Sequence, residues 1–207
     1  GVRRVRLGSL EPSALSVEFV ASLADNPKLC RQFHVSMQSG SAGVLRRMNR
    51  RYTPDEYAAY IDRIRARMPE AAITTDVIAG FPEETEEEHQ QTMDFVRRIG
   101  FARIHVFPYS RREGTKAAQM RDLPKSVKEE RAHALIELGR ELEHSYLDAS
   151  LGSIQEVLLE QEDEEGRMCG YTGTYIHTAV TGGKQGEIQK VRLLRRDGEK
   201  VLAELLD

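Results

Sequence analysis

Four times within its first 110 residues the chain runs a strand-like segment straight into a cluster of glycine, proline and polar residues, and helical patterning follows. The strand-like segments are residues 2–7, 33–37, 72–79 and 102–107. The helical stretches are 14–23, 53–68 and one that opens at Thr85 and ends near Gly100. Two of the helix starts carry a capping box, Thr53 with Glu56 and Thr85 with Glu88, in which a hydroxyl and a carboxylate each satisfy a free backbone N–H. Strands alternating with helices at this pace predict an α/β fold with a parallel sheet and right-handed crossovers. Four such units are about half of an eight-stranded barrel.

The pattern changes further on. Ser126 to Glu129 predicts the cap of a long helix that reaches about Leu147, with Leu135, Leu138 and Leu142 on one face. From Gly152 onward come five short strand candidates: 154–159, 168–171, 175–180, 187–194 and 201–206. Glu165-Gly166, Gly182-Gly183 and Asp197-Gly198 supply turns between them. Short strands with such punctuation predict a small antiparallel barrel of the oligonucleotide-binding kind. The domain boundary falls near residue 150, giving a partial barrel with its connecting helix over 1–150 and a β-domain over 151–207.

In a parallel barrel the C-terminal strand ends share one rim, and the ligand binds there. The clusters after the four strands are Gly8-Ser9-Leu10-Glu11-Pro12, Gln38-Ser39-Gly40-Ser41, Gly80-Phe81-Pro82-Glu83-Glu84-Thr85 and the stretch from Pro108 to Thr115. Glycine, proline and serine suit any such loop. Glu11, Gln38, Tyr109 and Arg111 are not generic turn residues, so together the clusters predict one pocket. Gly80 and Phe81 offer backbone hydrogen bonds beside a flat ring, which suits an adenine. Glu11 and Gln38 suit ribose hydroxyls or an amino-acid group, and Arg50 suits a carboxylate. His34 and His105 lie within strands, where a lone histidine is more often packed than ligating.

Composition narrows the chemistry. No apolar run approaches the roughly 18 residues of a membrane helix, and no signal-peptide pattern opens the chain, so we expect a cytoplasmic protein that does not enter the membrane. Its first residues already read as a strand and it lacks an initiator methionine, so we read it as a piece of a longer protein. Cys30 and Cys169 are the two cysteines, too few for an iron–sulfur cluster. No Asp, His and Glu set has convincing metal spacing, and no Gly-x-Ser-x-Gly elbow points to a serine hydrolase. An aldolase-type barrel with a Schiff-base lysine predicts a lysine in a strand, and the four strands have none.

RLGSLEP, FHVSMQSGSAGVLRRMNRRYT, AITTDVIAGFPEETEEEH and IHVFPYSRREGTKA, in this order over residues 3–118, resemble the radical-SAM methylthiotransferase family. GYTGTYIHTAV, residues 170–180, resembles the appended TRAM domain of the same proteins. RLGSLEP, HVFPYSRREGT and GYTGTY are most similar to the branch acting on threonylcarbamoyladenosine beside the tRNA anticodon. The resemblance implies methylthiolation of carbon 2 of that adenine, with S-adenosylmethionine and 4Fe–4S clusters as cofactors. The cluster-binding cysteines would lie upstream, so this fragment by itself is expected to hold no catalytic residue and to be inactive. It also implies a cofactor-binding role for Ser9, Glu11, Gln38, Ser39, Asp76, Gly80, Phe81, Tyr109 and Ser110, with Arg50 a candidate from its chemistry alone. One departure stands out. The family usually has Gly-Phe-Pro-Gly-Glu-Thr, and here Glu83 replaces the second glycine. If that position needs a positive φ, glutamate strains the turn by about 1 kcal/mol or more.

The net charge of −3 gives no global signature for nucleic acid, and residues 151–207 hold seven basic and eleven acidic side chains. An RNA site must therefore be local. Lys190, Arg192, Arg195 and Arg196 are candidate phosphate contacts, and Tyr171 and Tyr175 candidate stacking surfaces or core residues. tRNA is the expected partner, and the open edges of a half barrel predict self-association. Other readings are a methylthiotransferase acting on an aspartate of a ribosomal protein, and a non-catalytic RNA-binding module.

Overall fold

The computed structural model describes residues 1–206. Its first unit is a parallel sheet in the order β1-β2-β3-β4, formed by Ser9–Leu10, Gln32–Val35, Ala72–Ala79 and Arg103–Pro108. The helices α1 (Val17–Ala24), α2 (Ala42–Arg47), α3 (Pro54–Arg67), α4 (Glu86–Ile99) and α5 (Lys125–Ala149) accompany it. Register pairs Phe33 with Ile73, His34 with Thr74, Thr74 with Arg103 and Asp76 with His105. Because side chains alternate along a strand, this register sorts them onto two faces. Phe33, Val35, Ile73, Val77 and Ala79 join the apolar core together with Tyr57, Ile61, Val96, Phe101 and Leu135 from the helices. The other face carries His34, Thr74, Asp76, Arg103 and His105, and no helix covers His105 or Phe107, which stay exposed.

Both expected capping boxes form, on Thr53 with Glu56 and on Thr85 with Glu88. Other expectations need correction. Residues 2–7 make one bridge, Val5 to Leu29, and the first ladder strand is Ser9–Leu10. Arg4 and Arg6 in that segment instead turn to the second unit, donating to the carbonyls of Tyr171, Glu156 and Thr172. The first helix begins at Val17, because Ser16 accepts from the Phe19 N–H and Pro12 starts a separate 3-10 turn. The last begins at Lys125 behind Pro124, with no side-chain cap, so Ser126 is inside it. Helix α2 was not foreseen; its six residues are too few to show a periodicity.

Helix α5 lies along β4, close enough that a Cβ on Gly139 would sit 2.7 Å from Ile104 Cγ1. Its far end plugs the second unit: Leu147 is buried among Val157, Leu159, Ile176, Val191, Leu193 and Val201. That unit is a closed barrel, β5-β6-β7-β9-β8, made of Ile154–Glu162, Met168–Thr172, His177–Val180, Ile188–Asp197 and Lys200–Leu205. Four of its junctions are antiparallel as expected, but β7 and β9 pair in parallel because β8 intervenes in sequence and lies on the far side of β9. Tyr175, expected to open a strand, instead lies in the preceding turn at φ +67°. Among the described residues no helix is long and apolar enough to cross a membrane.

Candidate functional site

Three of the polar clusters follow parallel neighbouring strands, and the first contains β1 itself and continues into Glu11-Pro12, so Glu11 and the other three clusters emerge along one edge of the sheet. Backbone contacts tie them together. Gln38 N–H donates to the Asp76 carbonyl, Ile78 N–H to that of Gln38, and Tyr109 N–H to that of Ala79. Gln38 itself holds φ +68°. Glu11 Oε1 lies 3.4 Å from Arg50 Nη1, with Glu11 largely exposed. Tyr52 sits beneath them and donates to the carbonyls of Ser36 and Met37 at 3.0 and 2.9 Å. Burial pushes its hydroxyl up to about 12, so it remains a proton donor that pins the end of β2. Tyr52 lies outside the four polar clusters, within the stretch of resemblance that ends at Thr53, and no role was expected for it.

Several rim residues are fixed by packing. Ser39 is buried with its hydroxyl 3.2 Å from that of Thr92, and the same threonine accepts from Gly40 N–H. A Cβ on Gly40 would lie 2.6 Å from Phe95 Cβ, so glycine is required for the loop to rest on α4. Gly80 holds φ +69° and abuts Lys128 of α5. Its N–H donates to Glu84 Oε1, and so is already engaged. Phe81 is buried with its ring edge-on to Tyr109 at 5.3 Å between centroids. Glu84 is buried as well and meets Arg131 of α5 at 2.8 Å. Burial raises the Glu84 carboxyl, and the Arg131 hydrogen bond opposes that rise. Glu83 stands at φ +62°, so the departure from the family pattern falls on a left-handed position.

On the uncovered face of the sheet, Asp76 Oδ2 lies 3.2 Å from His34 Nε2, and the His34 and His105 rings are 6.0 Å apart. This pairing was missed because it depends on the register between β2 and β3. Ser9 lies level with His34, and Ser110 is exposed beyond β4.

The donor set at the rim fits S-adenosylmethionine in chemistry. Arg50 suits a carboxylate, Glu11 and Gln38 suit amino and hydroxyl groups, and the buried Tyr109 hydroxyl has no partner. A 4Fe–4S cluster does not fit this chain. Its two cysteines are both buried, and no grouping of three metal-binding side chains occurs among the described residues.

The barrel seats at the opposite end of the strands. A cavity of about 710 Å³ opens there between Arg4, Lys28 and Ala72 on one side and Gln155 and Thr174 on the other. Tyr171 stacks on both Tyr175 and His177 at 4.9 Å, and Arg6 lies 4.8 Å over the Tyr175 ring. These rings already have partners. Arg192 pairs with Glu204 and Arg196 with Asp148 of α5, while Lys190 and Arg195 are exposed.

A family model described as the radical SAM superfamily matches residues 4–96. The threonylcarbamoyladenosine tRNA methylthiotransferase MtaB of Bacillus subtilis is 38% identical over 94% of this chain and 45% of its own length. Its counterpart in Thermotoga maritima is 36% identical over 98% and 47%. A tRNA-2-methylthio-N(6)-dimethylallyladenosine synthase of Caldicellulosiruptor saccharolyticus is 40% identical over 77% and 34%. The chain thus spans about half the length of the curated relatives it matches, or less. Among solved structures, coproporphyrinogen III oxidase (HemN) from Escherichia coli, a radical SAM enzyme, aligns with a TM-score of 0.54 at 17% identity, over 93% of this chain and 46% of that one. That likeness speaks to the fold.

Proposed function

We propose that this chain belongs to the radical-SAM methylthiotransferase family and is the later part of a cytoplasmic tRNA methylthiotransferase acting on threonylcarbamoyladenosine. The observation that carries this reading is that similarity to two threonylcarbamoyladenosine tRNA methylthiotransferases runs through the sheet, α5 and the barrel alike. In this reading Glu11, Gln38, Arg50 and Tyr109 hold the amino-acid and ribose groups of S-adenosylmethionine, with Ser9, Asp76 and Ser110 close by. S-adenosylmethionine supplies the 5′-deoxyadenosyl radical and the methyl group. Ser39, Gly80 and Phe81 shape the loops from beneath, since their side chains or N–H groups are already engaged. The cluster ligands come from the remainder of the longer protein. The barrel is a TRAM-like domain for tRNA, with Lys190 and Arg195 the β8 cations that have no ion pair among the described residues.

A second reading, methylthiolation of dimethylallyladenosine, draws on the relative at 40% identity. Mass spectrometry of nucleosides from small RNA decides between them in a strain that lacks the gene. The methylthio group is expected to vanish from threonylcarbamoyladenosine and to return on complementation. Its persistence there, with loss from dimethylallyladenosine, would select the second reading.

A further inference from the structure

A line of side chains joins the small barrel to the uncovered face of the sheet, and its polarity can be read off. Arg6 Nη2 donates to the Thr172 carbonyl at 3.0 Å, and Arg6 Nη1 donates to Gln32 Oε1 at 3.0 Å. A guanidinium can only donate, so this contact fixes the Gln32 amide with Nε2 toward Thr74, 2.9 Å from Oγ1. Having accepted there, Thr74 has its own hydrogen free for His34 Nδ1 at 3.1 Å. The imidazole hydrogen then sits on Nε2, 3.2 Å from Asp76 Oδ2. Every link points the same way, from a cation to an anion, and hydrogen bonds aligned in this manner strengthen one another. Gln32 and Thr74 are buried, so water does not compete at the middle of the line.

We propose that Arg6, Gln32, Thr74 and His34 are positioning residues. They hold Asp76 as an acceptor on the open face and make its placement depend on how the small barrel seats against Arg6. Asp76 is 29% exposed there, so a hydroxyl or amino group of a bound nucleoside can donate to it. That ligand assignment rests on the proposed function, whereas the polarity of the line does not.

Nitrogen NMR of the labelled 207-residue chain near neutral pH tests the polarity. His34 is expected to show an unprotonated Nδ1 and a slowly exchanging hydrogen on Nε2. Gln32→Glu keeps the shape but supplies only acceptors. The Thr74 hydroxyl then turns toward residue 32 and its oxygen accepts from Nδ1. With Asp76 still on Nε2, His34 becomes doubly protonated. Thr74→Val removes the donor to Nδ1 and leaves Asp76 alone to hold the hydrogen on Nε2, which is expected to exchange faster. A wild-type His34 that is charged or carries its hydrogen on Nδ1 overturns the proposal, as does a Gln32→Glu spectrum like the wild type in a folded protein. Equilibrium dialysis of S-adenosylmethionine against the reconstituted full-length protein tests the ligand. Arg6→Met is expected to weaken binding about tenfold, the scale of one hydrogen bond to a charged group. Unchanged binding overturns the ligand assignment. Neither measurement depends on which tRNA nucleoside is modified.

Discussion

Replacing Glu83 with glycine should stabilise this protein. Residue 83 is the third of the turn from Phe81 to Glu84, closed by Glu84 N–H donating to the Phe81 carbonyl at 3.0 Å, with Pro82 second. A turn of that kind needs a positive φ at its third residue, and Glu83 supplies +62°. There an L residue brings its Cβ against the following carbonyl, at about 1–2 kcal/mol. Glycine removes that cost but gains about 0.4–1 kcal/mol of freedom in the unfolded chain, leaving roughly 0.5–1 kcal/mol of net gain. The Glu83 N–H to the Arg121 carbonyl, 3.2 Å, is unaffected, and the side chain is exposed. The carboxylate also sits two residues before the Thr85 cap, where a negative charge near a helix start contributes a few tenths of a kcal/mol. Glu83→Ala is therefore the proper reference, since it loses the carboxylate and keeps the Cβ. Urea unfolding of the three proteins should show a higher midpoint for Gly than for Ala, at equal m-value. Thermally, a difference of about 1 kcal/mol is about 2–4 °C for a chain of this size. Equal midpoints for Gly and Ala would refute the strain argument.

Arg131→Ala strands the buried Glu84 carboxyl and should cost roughly 3–5 kcal/mol, and Glu84→Ala should cost less because Arg131 keeps Glu86 at 3.1 Å, while the paired change Glu84→Leu with Arg131→Met recovers most of the larger loss in a double-mutant cycle. Gly170→Ala would put a Cβ 1.8 Å from the Leu158 carbonyl oxygen, so hydrogen exchange should show protection lost across the small barrel and kept in the parallel sheet. Asp163 accepts from Arg167, Lys200 and two backbone N–H groups, which hold its carboxyl well below the usual range. Its stabilising effect is complete above the ordinary carboxylate range near pH 4 and fades as pH falls toward the lowered value, so Asp163→Asn should flatten that part of an acid titration of stability. Anaerobic reconstitution of this chain, followed by iron analysis and an assay for 5′-deoxyadenosine, is expected to give neither; stoichiometric iron would contradict the donor-set argument.

What could be read from sequence followed from local chemistry. Thr53-Pro54-Asp55-Glu56 and Thr85 with Glu88 announce their helices because a capping box is complete within four residues. Strand β3 was legible from its β-branched and apolar residues between Pro69 and Gly80, although Thr74, Thr75 and Asp76 interrupt the apolar run. Residues 2–7 misled because their alternation of valine and arginine resembles a half-buried strand. The arginines instead serve a contact more than 150 residues away that no local pattern encodes. The rim clusters were visible as composition, but which atoms remain free was not. That Thr92 holds Ser39, or that Glu84 takes the Gly80 N–H, depends on helices packed from behind. Tyr171 and Tyr175 stood out as aromatics. Their mutual stacking, with His177 and Arg6 on either side, follows from a turn at positive φ that the sequence did not signal.

The contacts of Arg4 and Arg6 also govern the order in which the molecule can be assembled. Their acceptors, on Glu156, Tyr171 and Thr172, belong to a barrel closed only by its last strand. During synthesis Arg4 and Arg6 exchange water for these acceptors only after β9 has emerged and closed the barrel. Loops that long close slowly, so docking of these arginines should be among the latest steps of folding, and premature termination just short of β9 should leave the early strands exposed to chaperones and proteases.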